Sequence, residues 1–242
     1  MNLPSKAIKT LLAQGKEILT VFESKQLLKE AGFPVNKFGL ATEPEQAVTL
    51  AEELGFPLVL KIVSSDIVHK SDIGGVVVGV ESIEKVRSAF DDLMANVRDV
   101  QPEAKVDGVL VEEMVQDGGT EVILGTVIDP VFEHVLMFGL GGIFVEVLKD
   151  VTFRLIPMSR RDAEEMLEEI KAATVLDGVR GQPPANKREL VNLIMKLSDL
   201  VATNKEIAEC DLNPVFAGSK KAIVVDARLV LKPWQSKSQK NV

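Results

Sequence analysis

His69 stands in the run Ile67-Val68-His69-Lys70-Ser71-Asp72-Ile73-Gly74-Gly75-Val76, between apolar segments at 57–63 and 76–80. Imidazole changes charge near neutral pH and can act as a covalent nucleophile. The backbone N–H groups of a loop containing Gly74 and Gly75 can cradle phosphate oxygens. A strand, such a loop and a second strand form a place to handle a phosphoryl group. The same residues also fit a surface histidine in a hairpin loop.

Near the other end, Asp211 and Asn213 lie two apart on an expected strand, so their side chains share a face. A turn at Ser219-Lys220 would set Asn213 opposite Asp226 on the returning strand. Two carboxylates and an amide oxygen then converge, the hard-oxygen set that Mg²⁺ favours beside phosphates. Pro214, lacking an N–H, fits such a strand only at an edge or a bulge. The competing reading is an Asp-x-Asn-Pro turn with Asp226 in solvent.

Other residues could serve a nucleotide. Val109 to Met114 is an apolar strand ending in Glu112, Glu113 and Met114, and a segment there could offer backbone groups to an adenine edge. Glu121 could accept hydrogen bonds from ribose hydroxyls. Lys61, among Leu60, Ile62 and Val63, either snorkels to solvent or points toward a phosphate. Arg154, between Phe153 and Leu155, is a phosphate clamp or one half of a cross-strand ion pair. Gly139-Leu140-Gly141-Gly142 is a weak signal; His134 and Cys210 read as structural.

The elements that must position these groups alternate between helical and extended patterns. Thr20-Val21-Phe22-Glu23 and Thr42-Glu43-Pro44-Glu45 have the form of capping boxes, each followed by helically spaced apolar residues and a Gly-x-Pro stop. Ser82 opens a third helix. With runs at 35–40, 58–63 and 76–80, these predict a smaller α/β lobe over 20–107. Strands are expected at 109–112, 121–128, 134–138, 143–148 and 152–156, then helices after Ser159 and Asn186. A hairpin of 207–216 and 222–231 completes a larger lobe over 108–232, with extensions at 1–19 and 233–242. The fold expected is α+β, two lobes meeting at a cleft.

Composition narrows the function. With 242 residues and 46% of them hydrophobic, the chain can bury a substantial core. A formal net charge of −8 argues against extended nucleic-acid binding. No apolar run approaches a membrane span and no signal peptide is evident, and the single cysteine fits a reducing, cytoplasmic setting.

Taken in order, these motifs resemble the ATP-grasp fold, and more narrowly the beta subunit of ADP-forming acyl-CoA synthetases such as acetate–CoA ligase. The segments that carry the resemblance are 67–76, Met137-Phe138-Gly139-Leu140-Gly141-Gly142-Ile143-Phe144-Val145-Glu146 and Asp211-Leu212-Asn213-Pro214. The resemblance implies a nucleotide in the cleft, with adenine at Glu112, Glu113 and Met114, ribose at Glu121, and Lys61 on phosphate. Asn213 and Asp226 would hold Mg²⁺, with Asp211 close by as a catalytic group. His69 would take a phosphoryl group from a phosphohistidine on a partner alpha subunit and pass it to ADP. The overall reversible reaction converts acyl-CoA, ADP and phosphate into a carboxylic acid, CoA and ATP. The chain is also similar to the succinyl-CoA synthetase beta subunit, which has a Gly/Lys-rich loop in place of His69-Lys70-Ser71-Asp72. A chain of this length is expected to leave CoA binding to the alpha subunit, in a heterotetramer. The rival expectation is a catalytically silent nucleotide sensor in a protein acetyltransferase-like assembly.

Overall fold

The structure is a computed structural model that describes residues 3–67, 70–116, 119–179 and 181–233. The chain opens with two helices, α1 (Leu3–Ala13) and α2 (Val21–Glu30). It divides into two units, the smaller made of 20–22 and 36–116 and the larger of 1–19, 23–35 and 117–242.

The smaller unit holds β1 (Phe38–Ala41), α3 (Pro44–Leu54), β2 (Leu58–Val63), β3 (Val76–Val80), α4 (Ile83–Val100) and β4 (Gly108–Glu113). Its sheet runs β1-β4-β2-β3 and its named pairs are antiparallel. Alternation along β2 and β4 turns Leu58, Leu60, Ile62, Val109 and Val111 toward α3 and α4, where Ala47, Ala51, Phe90 and Leu93 complete the core. Ser82 caps α4 by accepting from Lys85 N, as its sequence position predicts. The expected box at Thr42 differs. Helix α3 starts at Pro44 without a side-chain cap, and Gln46 Oε1 instead accepts from Thr42 N at 2.9 Å.

The larger unit contains β5 (Thr120–Asp129), β6 (Glu133–Leu140), α5 (Ile143–Leu148), β7 (Val151–Leu155), α6 (Arg160–Glu169), α7 (Lys187–Thr203), β8 (Ile207–Ala217), β9 (Ala222–Val224) and β10 (Ala227–Leu231). Its sheet runs β10-β8-β5-β6-β7, with β9 also paired to β8. One face packs on the helices through Leu124, Leu136, Phe138, Leu212, Leu229, Met166, Leu193 and Leu197. The other face carries the odd-numbered residues 125, 137, 153 and 211, which the register aligns in one row.

Three expectations are corrected. Strand β4 belongs to the smaller unit's sheet, so the chain crosses between units after Gln116 rather than at 107. Most of α2 belongs to the larger unit, as does the segment before residue 20. Residues 143–148 form a helix, not a strand. A six-residue apolar run has too few turns for periodicity to decide between the two. Ser159 does cap α6 in a reciprocal box with Asp162. Among the described residues no helix is long and apolar enough to cross a membrane.

His134 is buried on the helix side of β6 and bonds Ile207 O through Nε2 at 2.9 Å, which bears out its structural reading. Burial lowers its pKa below the ordinary 6.5. The unfolded chain therefore binds a proton near pH 6.5 that the folded chain does not, and stability falls as pH drops through that range. In His134→Gln the fall in Tm from pH 7.5 to 5.5 should shrink, as read by thermal melts at the two pH values (about one unit either side of the imidazole's ordinary value).

Candidate active site

The open face of the larger sheet gathers the polar residues of the terminal hairpin. Between the pairs Val122–Val215 and Leu124–Leu212, strand β8 has two residues, Asn213 and Pro214, where β5 has only Ile123. This is a β-bulge in a central strand, and it accommodates Pro214, which has no N–H to give. It also resets the alternation. Asp211 and Asn213 face outward, yet Val215, two residues on, is fully buried. Across the hairpin, Asn213 N donates to Asp226 O at 3.3 Å, so the expected opposition of Asn213 and Asp226 is present.

Two neighbours complete this patch, and neither was singled out from the sequence. Arg228 is the register partner of Asp211. Its spacing of two from Asp226 on the returning strand was the readable signal. Gly125, beside Asp211 on β5, leaves the face open: a Cβ there would lie 4.0 Å from Asp211 Oδ1 and 3.3 Å from Cys210 O. Asp211 has an exposed tip, but the sheet beneath removes part of its hydration. That loss, and then the Asp226 carboxylate, push its pKa above the ordinary range, and Arg228 only partly offsets them. Two like charges held side by side with an amide oxygen form a donor set that fits Mg²⁺. Among the described residues there is no cluster of three or more His, Cys, Asp or Glu ligands. One or two carboxylates plus phosphate oxygens are what Mg²⁺ ordinarily takes.

Glu121 lies on the same face at the start of β5, exposed, with its carbonyl accepting from Gly141 N at 2.7 Å. Gly141 permits this approach, since a Cβ there would meet Glu121 Cβ at 3.0 Å. Cys210 points the other way, into the core, where burial pushes its thiol pKa up.

In the smaller unit, Lys61 is only 7% exposed and its Nζ lies 2.7 Å from Glu112 Oε1, on a carboxylate that is itself fully buried. Both sit on the sheet face away from α3 and α4, beside Val63 and Leu110. Glu113, the next residue on β4, therefore faces the opposite way, so Glu112 and Glu113 cannot address one ligand together. Met114 N donates to Pro57 O at 3.1 Å, which takes that amide away from an adenine edge.

Three sequence-predicted ligand residues are engaged within the chain. Gly74 N donates to Ser71 O at 3.2 Å and Gly75 N to Lys70 O at 2.7 Å, closing the 3₁₀ turn Lys70–Ile73. These amides build the loop instead of forming an anion cradle. Arg154 lies in register with Leu136, on the helix side of the sheet and opposite in facing to Asp211. Its guanidinium donates to Glu169 Oε1 at 2.6 Å, and the α6 carboxylates raise its pKa. Arg154 is therefore in an ion pair, but with carboxylates of α6 rather than across the strands as the sequence suggested. His69 lies outside the described residues.

The ATP-grasp domain family matches residues 10–231. Over 230 residues the chain is 45% identical to the acetate–CoA ligase [ADP-forming] II subunit beta of Pyrococcus furiosus, covering 94% of this chain and 97% of that one. The chain belongs to the ATP-grasp family of ADP-forming acetate–CoA ligase beta subunits. A solved structure of Ca. Korarchaeum cryptofilum acetyl-coenzyme A synthetase 1 with coenzyme A and Ca-AMPCP superposes with a TM-score of 0.91 at 42% identity, covering 94% of this chain and 99% of that one. Another, with Mg-AMPPCP and a phosphohistidine segment pointing towards the nucleotide binding site, gives 0.82 at 40% identity, covering 95% and 100%.

This ATP-grasp chain thus carries a buried Lys61–Glu112 pair whose halves depend on each other. Removing one partner of such a pair leaves an uncompensated buried charge and costs about 3–5 kcal/mol. Lys61→Met should lose stability on that scale in urea unfolding, and Lys61→Met/Glu112→Leu should regain most of it.

Proposed function

We propose that this chain is the nucleotide-binding beta subunit of an ADP-forming acyl-CoA synthetase, transferring a phosphoryl group between a phosphohistidine on an alpha subunit and Mg·ADP. The observation that carries this reading is the bulged hairpin, which brings Asp211, Asn213 and Asp226 onto one open sheet face in a chain of this family. The relatives are named as ligases, which favours catalysis over a silent nucleotide sensor. The partner would supply the CoA site and the phosphohistidine, and a reducing cytoplasm suits the single buried cysteine.

Asn213 and Asp226 would hold Mg²⁺, with Asp211 beside them, and the ion would neutralise charge on the ADP phosphates. Lys61, with its ammonium fixed by Glu112, adds a cation for phosphate oxygens from a site that cannot sway. Glu121 accepts from ribose hydroxyls, and the segment around Met114 lies against the base. His69 accepts the phosphoryl group on a ring nitrogen and gives it to the terminal phosphate oxygen of ADP. Such a reaction asks mainly for alignment and charge neutralisation.

With the alpha subunit present, Asn213→Ala and Asp226→Ala should each slow acyl-CoA-dependent ATP formation by about 10²-fold or more, the scale of losing one electrostatic stabiliser. Both should weaken Mg·ADP binding in calorimetry while melting near the parent. His69→Ala should abolish both ATP formation and an acid-labile phosphate adduct on this chain, with nucleotide affinity unchanged. Near-normal synthesis by His69→Ala would mean direct transfer from the partner to ADP.

A further inference from the structure

Lys25 is a fully buried lysine. It sits on the inward stripe of α2, between Val21 and Leu28 at helical spacing and beside the buried Ser24. A long, strongly hydrated ammonium is costly to bury, so its position needs a reason. Its Nζ donates to Val225 O at 3.1 Å, on the residue that precedes Asp226.

The reason lies in Pro214. The register that pairs Leu212 with Ala227 and Val215 with Val224 sets Pro214 opposite Val225. Facing residues of an antiparallel pair can exchange two bonds, each donating its N–H to the other's carbonyl. Val225 N does donate to Pro214 O, at 3.1 Å. Pro214 has no N–H to return, and the Lys25 ammonium supplies the donor that the ladder lacks. We propose that Lys25 is a positioning residue for the metal site: it fixes the Val225–Asp226 peptide and, through it, the Asp226 side chain. The proposal rests on the assignment of Asn213 and Asp226 to Mg²⁺.

The carbonyl of Val225 and the N–H of Asp226 belong to one planar unit. Lys25 holds the oxygen end, and Asp226 N points at Pro214 O at 3.5 Å from the other. With the plane held at both ends, the Cα of Asp226 has little freedom to move. The same helix anchors the hairpin further along. Ser24 Oγ accepts from Leu229 N at 3.2 Å, and past the helix end Pro34 O accepts from Val224 N at 2.8 Å. Those contacts flank the Asp226 turn, and the Lys25 contact reaches the peptide that carries the ligand.

The test compares the parent with Lys25→Met, Lys25→Gln, Ser24→Ala and Asp226→Ala, all as full chains. Mg²⁺ dependence of ADP binding is read by calorimetry, backbone amide exchange over 222–231 in metal-free protein, and stability by melting. Lys25→Met keeps the aliphatic stem, so it should fold and bind ADP without metal like the parent. Its Mg²⁺ affinity should fall by about tenfold or more, on the scale of losing a group that orients a metal ligand, with faster exchange at Asp226. Ser24→Ala should lower Tm without changing Mg²⁺ affinity. Parental Mg²⁺ affinity in Lys25→Met, beside a weakened Asp226→Ala, would overturn the positioning role alone. Parental affinity in Asp226→Ala would overturn the metal assignment instead. If Lys25→Met does not fold, Lys25→Gln is read by the same criteria. Failure of both to fold would make Lys25 a requirement of the core and overturn a specific role at the metal.

Discussion

Two residues of β8 stand opposite one residue of β5, and the proposed chemistry of the larger unit follows from that mismatch. Without the extra residue, strict alternation would put Val215 on the same face as Asp211 and Asn213, exposing a core side chain. With it, Asp211 and Asn213 face out and the core resumes at once. The bulge also lets a proline occupy a central strand, and the proline in turn leaves the Val225 carbonyl without its ladder donor. An N-terminal helix closes that gap with a buried ammonium. The proposed metal face therefore depends on α2 as well as on the hairpin.

The hairpin patch and the Lys61 site differ in how they resist disorder. Asp211 and Asn213 lie on β8 and Asp226 between β9 and β10, and their immediate neighbours Cys210, Leu212 and Ala227 are core residues, so their backbone inherits the stiffness of the packed interior. Lys61 is held by a charge instead, through a carboxylate with no exposure of its own. Both arrangements suit a reaction that needs its charges in place before the phosphoryl group arrives. Burial against the sheet, and then the neighbouring Asp226 carboxylate, raise the Asp211 pKa. The hydrophobic face beneath holds the two residues together regardless.

Much of this was readable from local pattern. Ser82 and Ser159 cap helices as their spacing demands, and the opposition of Asn213 and Asp226 follows from turn position and a period of two. The misses share a physical cause, which is that pairing is non-local. Nothing near 108–113 says which sheet that strand joins, so the lobe boundary fell early. Arg154 was placed by residue type, but its facing depends on β6 and on carboxylates of α6. The Gly74 and Gly75 amides looked available because their acceptors are carbonyls, which a sequence does not distinguish. Lys25 hid in an apolar stripe, with its partner two hundred residues away.

The placement of Lys25 also bears on why the site uses a lysine where a packed apolar residue would cost less to bury. An apolar residue would fill the space and leave the Val225 carbonyl without that donor. A shorter amide or hydroxyl on α2 would give up the reach that spans from the helix to the far edge of the hairpin. A lysine meets both demands, since its four-carbon stem is apolar and fully buried while its head delivers a donor at 3.1 Å. It sits behind the strand, bonded to the backbone, so it can support Asp226 without occupying the open face where Mg²⁺ and phosphate would meet.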